Sequence, residues 1–142
     1  MSDGKLTQFK LDDKSVPVRF VETQTVKEGV ECDVYVFTDD SSKDLAIVRV
    51  SQGYKTPLQR VLIGDRTIEG FYDGVGTLTV RSVNGQSDEY AFGSSDNKEV
   101  VVEIGQIMQW HADGKGDLTF YEICEPPYAD GRFENITEET NL

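Results

Sequence analysis

Apolar and polar residues alternate along most of this chain with a period of two, and almost nowhere with the 3.6-residue period of a helix. Val34 and Val36 alternate with Tyr35 and Phe37, and Ala46, Val48 and Val50 with Ile47 and Arg49. Leu78 and Val80 flank Thr79, and Val100, Val102 and Ile104 alternate with Val101 and Glu103. Leu118, Phe120, Tyr121 and Ile123 predict a further strand with both faces covered. Between these runs stand turn sequences: Asp39-Asp40-Ser41-Ser42, Gly64-Asp65, Asp73-Gly74, Asn84-Gly85, Ser94-Ser95-Asp96-Asn97 and Asp113-Gly114-Lys115-Gly116. Asn84-Gly85 is the strongest hairpin signal, because both residue types tolerate the positive φ of a type I′ turn. It predicts that a strand over 76–83 folds back onto one over 87–92. Short strands at regular spacing, separated by such turns, predict an all-β sandwich or barrel.

One domain is expected over residues 17–133. Residues 1–16 read as an N-terminal extension that adds an edge strand through Leu6, Phe9 and Leu11. Pro126-Pro127 should end the last strand, since proline donates no ladder hydrogen bond. Residues 134–142 read as an acidic, polar tail. A chain of 142 residues can bury a core without disulfides or metals to staple it.

Charge narrows the partners. Acidic residues outnumber basic ones 26 to 14, for a net charge of -12. Such a surface repels phosphate backbones and anionic lipid, so no nucleic acid and no membrane is expected as a partner. No apolar run approaches the length of a membrane helix. The opening Met1-Ser2-Asp3-Gly4-Lys5 carries no secretory signal, and Cys32 and Cys124 are expected as free thiols in a reducing cytoplasm. Asn135-Ile136-Thr137 has the form of a glycosylation acceptor, which has no use there.

Two segments carry a resemblance to a known family. Gly53-Tyr-Lys-Thr-Pro-Leu-Gln59-Arg-Val61 resembles the opening of the first cupin motif, with Gln59 and Val61 where that family has two histidines. Thr67-Ile-Glu69-Gly-Phe-Tyr-Asp-Gly74-Val-Gly76-Thr-Leu-Thr-Val80 resembles its continuation, with Thr67 at the family's glutamate and Glu69 or Asp65 near enough to substitute. The second motif is thinner: Val100 to Gly105 matches its strand and glycine, and Trp110-His111 stands where the family places its last ligand. The tail from Glu122 through Pro126-Pro127 to Phe133 resembles the end of small single-domain cupins. The resemblance implies an antiparallel jelly-roll β-barrel, a homodimer, and a pocket inside one end of the barrel.

That family's metal site needs three histidines and a glutamate, and this chain has one histidine in all. No metal and no other cofactor is therefore expected. Gln59, Glu69, Tyr72, Trp110, Tyr121 and Glu122 are the candidates to line the pocket, since aromatic faces with amides and carboxylates suit a small polar ligand such as a carbohydrate. His111 is the candidate for proton transfer, because its ordinary pKa lies near neutrality. Strand parity sets Trp110 and His111 on opposite faces. A Cys–His nucleophile requires Cys124 to meet His111 in space. Three functions stay open: a non-metal binding module for a small polar ligand, a metal-independent isomerase or epimerase using Glu69, His111 or a tyrosine, and a structural protein whose barrel is plugged by Trp110 and Met108.

Overall fold

The alternation resolves into twelve strands: β1 (Gln8–Leu11), β2 (Lys14–Lys27), β3 (Val30–Phe37), β4 (Asp44–Val50), β5 (Leu58–Val61), β6 (Arg66–Gly74), β7 (Gly76–Arg81), β8 (Ser87–Phe92), β9 (Glu99–Val102), β10 (Ile107–His111), β11 (Leu118–Glu125) and β12 (Phe133–Ile136). They come from a computed structural model that describes residues 5–11, 13–93, 99–129 and 131–136. The turn expected at 94–97 and the tail over 137–142 lie outside the described residues. No helix occurs among the described residues, so none is long and apolar enough to cross a membrane.

The strands form two antiparallel sheets, one of seven strands in the order β1-β2-β3-β4-β11-β6-β9 and one of five in the order β12-β5-β10-β7-β8. The sheets face each other as a jelly-roll half-barrel. Alternation sends one set of side chains between them: Val30, Val48, Val50, Leu118 and Phe120 from the larger sheet meet Val61, Leu78, Val80, Met108 and Trp110 from the smaller. The other face of the larger sheet carries Tyr35, Phe37, Leu45, Ile47, Ile68 and Ile123, and the N-terminal hairpin lays Phe9 and Val18 over them. Both faces of β11 are thus covered. On that outer face Asp33 is nearly sealed and accepts bonds from Arg49 Nη1 (2.6 Å), Thr23 Oγ1 (2.7 Å) and Lys5 Nζ (3.2 Å). Burial alone would raise its pKa, but the bonds from Arg49, Thr23 and Lys5 hold the carboxyl below its usual range.

Three expectations need correction. The chain does form a β7–β8 hairpin, but a five-residue loop over 82–86 closes it, with Arg81 opposite Ser87. Only Gly85 of the pair takes positive φ, at 92°, so this is not a type I′ turn. β11 stops at Glu125 before the prolines, yet residues 134–136 are not tail: β12 pairs with β5 from Phe133↔Val61 to Ile136↔Leu58. And β2 begins at Lys14, inside the expected N-terminal extension, whose Phe9 and Leu11 do form the edge strand β1.

Arg132 explains why the chain returns after the prolines. Its side chain is buried, with Nη1 donating to the Pro126 carbonyl (2.8 Å) and Nη2 to the Arg66 carbonyl (2.6 Å) and Thr67 Oγ1 (2.9 Å). Its own carbonyl accepts from Leu62 N–H (2.8 Å), so one residue joins the end of β5 to the start of β6. Replacing it by Met keeps the volume and removes every side-chain donor, which leaves the part-buried Pro126 and Arg66 carbonyls and the buried Thr67 hydroxyl without it, at about 1–3 kcal/mol for each group that stays unpaired. Arg132→Met should therefore lose about 3 kcal/mol or more of unfolding free energy in urea, with Arg132→Lys between it and wild type. Unchanged urea midpoints in both variants would remove this latch from the account.

Candidate functional site

The site grows from Trp110. Parity on β10 points Met108 and Trp110 between the sheets and His111 away. The indole is 1% exposed and stacks on Phe120 of the facing sheet, with centroids 4.4 Å apart and planes at 8°. Phe92 tilts against it at 5.1 Å. Thr56 fixes the backbone beneath: its N–H donates to the Trp110 carbonyl, and its Oγ1 accepts from the Trp110 N–H, both at 2.9 Å. The indole Nε1–H then donates across the barrel to Glu69 Oε1 at 2.7 Å.

Glu69 keeps its inward direction because the one irregularity in β6 comes after it. Phe120 pairs with Phe71 and Thr119 with Asp73, so Tyr72 is the extra residue of a bulge. Glu69 is 1% exposed and lies directly across from Glu122 of β11. No N–H or hydroxyl reaches its Oε2, and a side-chain hydrogen bond links its carboxyl to that of Glu122. Two carboxyl groups can share a hydrogen bond only if one of them holds a proton. Burial first, and the adjacent Glu122 second, push the Glu69 pKa well above the ordinary carboxylate range, against the opposing pull of the Trp110 bond. The proton thus stays on Glu69 where an exposed glutamate would have lost it.

Beside this pair lies a cavity of about 440 Å³ between the sheets. β2, β3, β4 and β11 wall one side with Gln24, Asp44, Phe120 and Glu122, and Gln59 and Phe133 come from β5 and β12 opposite. Glu22 and Gln24 reach it through another bulge. Phe20 pairs with Tyr35 but Glu22 with Val34, so Val21 is the extra residue. The slip turns the second half of β2 from the outer face to the inner one.

The expected site residues divide among three places. Gln59 faces inward at the mouth and donates from Nε2 to Asn135 Oδ1 at 3.1 Å. Glu69 and Trp110 face inward but are sealed, so they form the floor behind Glu122 and Phe120 and cannot touch a ligand in the cavity. Tyr72 and Tyr121 point out of the barrel. Phe120 and Glu122 face in, so parity turns Tyr121 outward over Gly70, where it bonds Glu99 at 2.6 Å and packs edge-on against Phe9. Tyr72 is turned out by the bulge and lies parallel to Phe9 at 6.3 Å. His111 faces outward on β10 opposite Thr77. It does not meet Cys124, which points inward from the other sheet. Burial, with Glu122 and Asp33 nearby, pushes the Cys32 thiol up to about 12, and burial raises that of Cys124 as well, so neither is a ready nucleophile.

The pattern missed Glu22, Gln24 and Asp44. Asp44 was within reach, since it stands two residues before Ala46 on the same face of β4. The β2 pair was not, because nothing in the sequence marks Val21 as a bulge.

The cupin resemblance implies a metal, and the donor positions do not fit one. Val61 is core hydrocarbon, the Thr67 hydroxyl is bonded by Arg132, the Gln59 amide by Asn135, and His111 faces away. No three His, Cys, Asp or Glu side chains among the described residues are grouped to hold an ion.

No family model and no curated protein matches the chain. Solved structures do. The capsular polysaccharide assembling protein CapF from Staphylococcus aureus superposes with a TM-score of 0.65 at 13% identity, over 88% of this chain and 35% of that one. A variant of oxalate decarboxylase from Bacillus subtilis gives 0.65 at 17% identity, over 78% of this chain and 29% of that one. The chain thus spans about a third of the length of the proteins it resembles. Likeness at such identity establishes the fold and nothing finer.

Glu69 makes stability depend on pH with a defined sign. Its folded pKa is raised, so between the unfolded value of about 4.3 and the raised folded one the native state holds a proton that the unfolded chain has lost. Stability from this group is full below that window and falls as pH rises through it. Glu69→Gln keeps an acceptor for Trp110 and offers Glu122 an N–H that does not titrate. The variant should match wild type near pH 4 and exceed it by on the order of 1 kcal/mol at pH 8 in urea unfolding. A wild-type excess that grows with pH would contradict the proton on Glu69.

Proposed function

We propose that this chain, whose fold is the cupin fold, is a binding module for a small polar ligand held without a resident metal in the cavity between its sheets. The observation that carries the reading is the mixed wall of that cavity. Phe120 and Phe133 offer apolar faces, while Gln24, Gln59 and Glu122 offer hydrogen-bonding groups. About 440 Å³ falls in the range of small-molecule sites. Rings over amides and carboxylates suit polyhydroxyl compounds, so a carbohydrate fits the chemistry. CapF, by its name, assembles a polysaccharide, which agrees with that class. Oxalate is a dianion, and an acidic wall disfavours it.

The isomerase or epimerase reading loses two of its groups, since Glu69 is sealed and His111 faces outward. Of the carboxyl groups that line the cavity, Glu122, paired with Glu69, would remain to it along with Asp44 and Glu22. The filled-barrel reading describes the half of the space that Trp110 and Met108 occupy and leaves the cavity unexplained.

The same reading makes the protein a cytoplasmic homodimer. Its support is the free edge at β9, where Val101 and the nearby Ile104 and Ile63 are exposed. Light scattering should give twice the chain mass at micromolar concentration; a monomer would remove the dimer and leave the ligand site standing.

A thermal-shift screen of monosaccharides and polyols tests the site itself. Compounds that raise the melting temperature should also change the emission of Trp110, the sole tryptophan, which stacks on a cavity wall. Losing two hydrogen-bonding groups in Gln59→Ala, Glu122→Ala should weaken binding about tenfold or more. Equal binding by that double variant would put the ligand elsewhere.

A further inference from the structure

β1 is the other free edge of the seven-stranded sheet, at the end opposite β9. Its pairing with β2 leaves half of its backbone unused. The Thr7 carbonyl accepts from the Val18 N–H at 3.0 Å, while Pro17, opposite Gln8, has no N–H to give. Antiparallel partners alternate between bonded and unbonded pairs. Phe9 and Leu11 therefore bond β2, and Gln8 and Lys10 aim their N–H and C=O groups the other way. Those groups have no backbone partner among the described residues. They recur at two-residue spacing, about 6.8 Å, the repeat at which an added strand offers its own donors and acceptors.

The edge opens on a groove. The N-terminal hairpin lies over the outer face of its own sheet, and a cleft of about 630 Å³ separates β1 from β6 and β9. The Tyr121 ring forms its floor, lying over Gly70 and bonded to Glu99. Phe9 and Tyr72 add two more rings. Tyr72 points there because of the bulge in β6, and it is 46% exposed. Parity puts Val101, 44% exposed, on the same outer face, opposite Ile68 of β6. The hairpin layer thus stops short of covering its sheet, and its last strand presents unpaired backbone to the gap.

We propose that β1 takes up an extended, basic peptide segment of another protein, which adds to the hairpin as a further strand along the groove. Main-chain bonds to Gln8 and Lys10 set its register, and its alternate side chains pack on Tyr72 and Tyr121. Asp13 and Glu99 line the groove, with Lys10 the one basic side chain among its lining residues. On a chain of net charge -12, the complementary segment is cationic. Two copies joined edge to edge would set their Asp13 and Glu99 side chains against each other, which disfavours a second copy in this groove. The groove lies on the opposite face of the larger sheet from the cavity between the sheets, so the two sites stand or fall separately.

The probes are two capped, fluorescently labelled heptapeptides, KVKFKVK and its acidic counterpart EVEFEVE. Anisotropy titrations with the full chain should show saturable binding of the basic peptide, about tenfold or more tighter than the acidic one and weakening with added salt. At saturation, amide hydrogen exchange at Gln8 and Lys10 should slow by about tenfold or more. Lys10→Pro deletes an edge donor that the hairpin does not use, and should weaken binding about tenfold. Lys10→Ala keeps that N–H and removes a positive charge, so it should bind as tightly as wild type or more so. If Lys10→Pro loses the hairpin, protection of the two amides in wild type decides alone. Equal affinity for the acidic peptide would overturn the basic partner. A loss in Lys10→Ala as deep as in Lys10→Pro would overturn the backbone mode. Absence of saturable binding, or binding that leaves both amides unprotected, would overturn the site. A wild-type dimer that becomes monomer in Lys10→Pro would assign the edge to a second copy and overturn the peptide.

Discussion

Trp110 spans the space between the two sheets, and the packing on either side follows from its position. The indole is rooted in the smaller sheet through Thr56, lies flat on Phe120 of the larger, and ends in a hydrogen bond to Glu69. A ring of that size buries enough apolar area to hold two sheets at a fixed separation. Its N–H needs a partner once buried, and the acceptor it meets is the Glu69 carboxyl. The direction of Trp110 therefore decides which residue of β6 faces in, and through strand pairing which residue of β11 does.

The buried carboxyl has a cost that packing alone would not require. A neutral amide at residue 69 would satisfy the indole equally well, and a hydrocarbon interior is often the more stable choice. What the carboxyl adds is an acid that keeps its proton to a higher pH than an exposed glutamate, paired with Glu122 at the wall of a cavity. Register is a further gain. A one-residue slip of β6 against β11 would bring Ile68 or Gly70 opposite the indole and leave its N–H unpaired, so the polar pair selects one alignment among several apolar ones.

The all-β architecture, the β7–β8 pairing and the strands β3, β4, β7, β9 and β11 were legible, because apolar residues recur along most of them with a period of two; the number of strands was not. Asp44 was equally legible and went unread. Two of the misreadings have one cause. A bulge shifts parity without leaving a composition signal. The one at Val21 sends Glu22 and Gln24 into the cavity, and the one at Tyr72 sends that ring outward. The loop at 82–86 is a milder case, since Asn84-Gly85 permits a two-residue turn without forcing one. The third class of misreading was of exposure: Glu69 and Trp110 do face inward, but no pattern of residues tells a lining side chain from one sealed behind it.

The same logic accounts for where the empty space lies. In the first motif of the resemblance, Gln59 and Val61 stand at the histidine positions, on the inward face of β5. Val61 joins the core with Met108 and Val80, so the chamber that a metal would need is filled with hydrocarbon. Gln59 is drawn toward the mouth by Asn135 of β12. Filling the centre pushes the remaining cavity sideways, toward the stretch of β2 that its bulge has turned inward and toward the β12 that Arg132 holds in place. The cavity is thus walled by elements outside the two motifs, which is why a motif-based reading found the fold and misplaced part of the site. Its chemistry is set by what those elements bring: carboxyl groups, amides and aromatic edges, without a basic side chain to balance them.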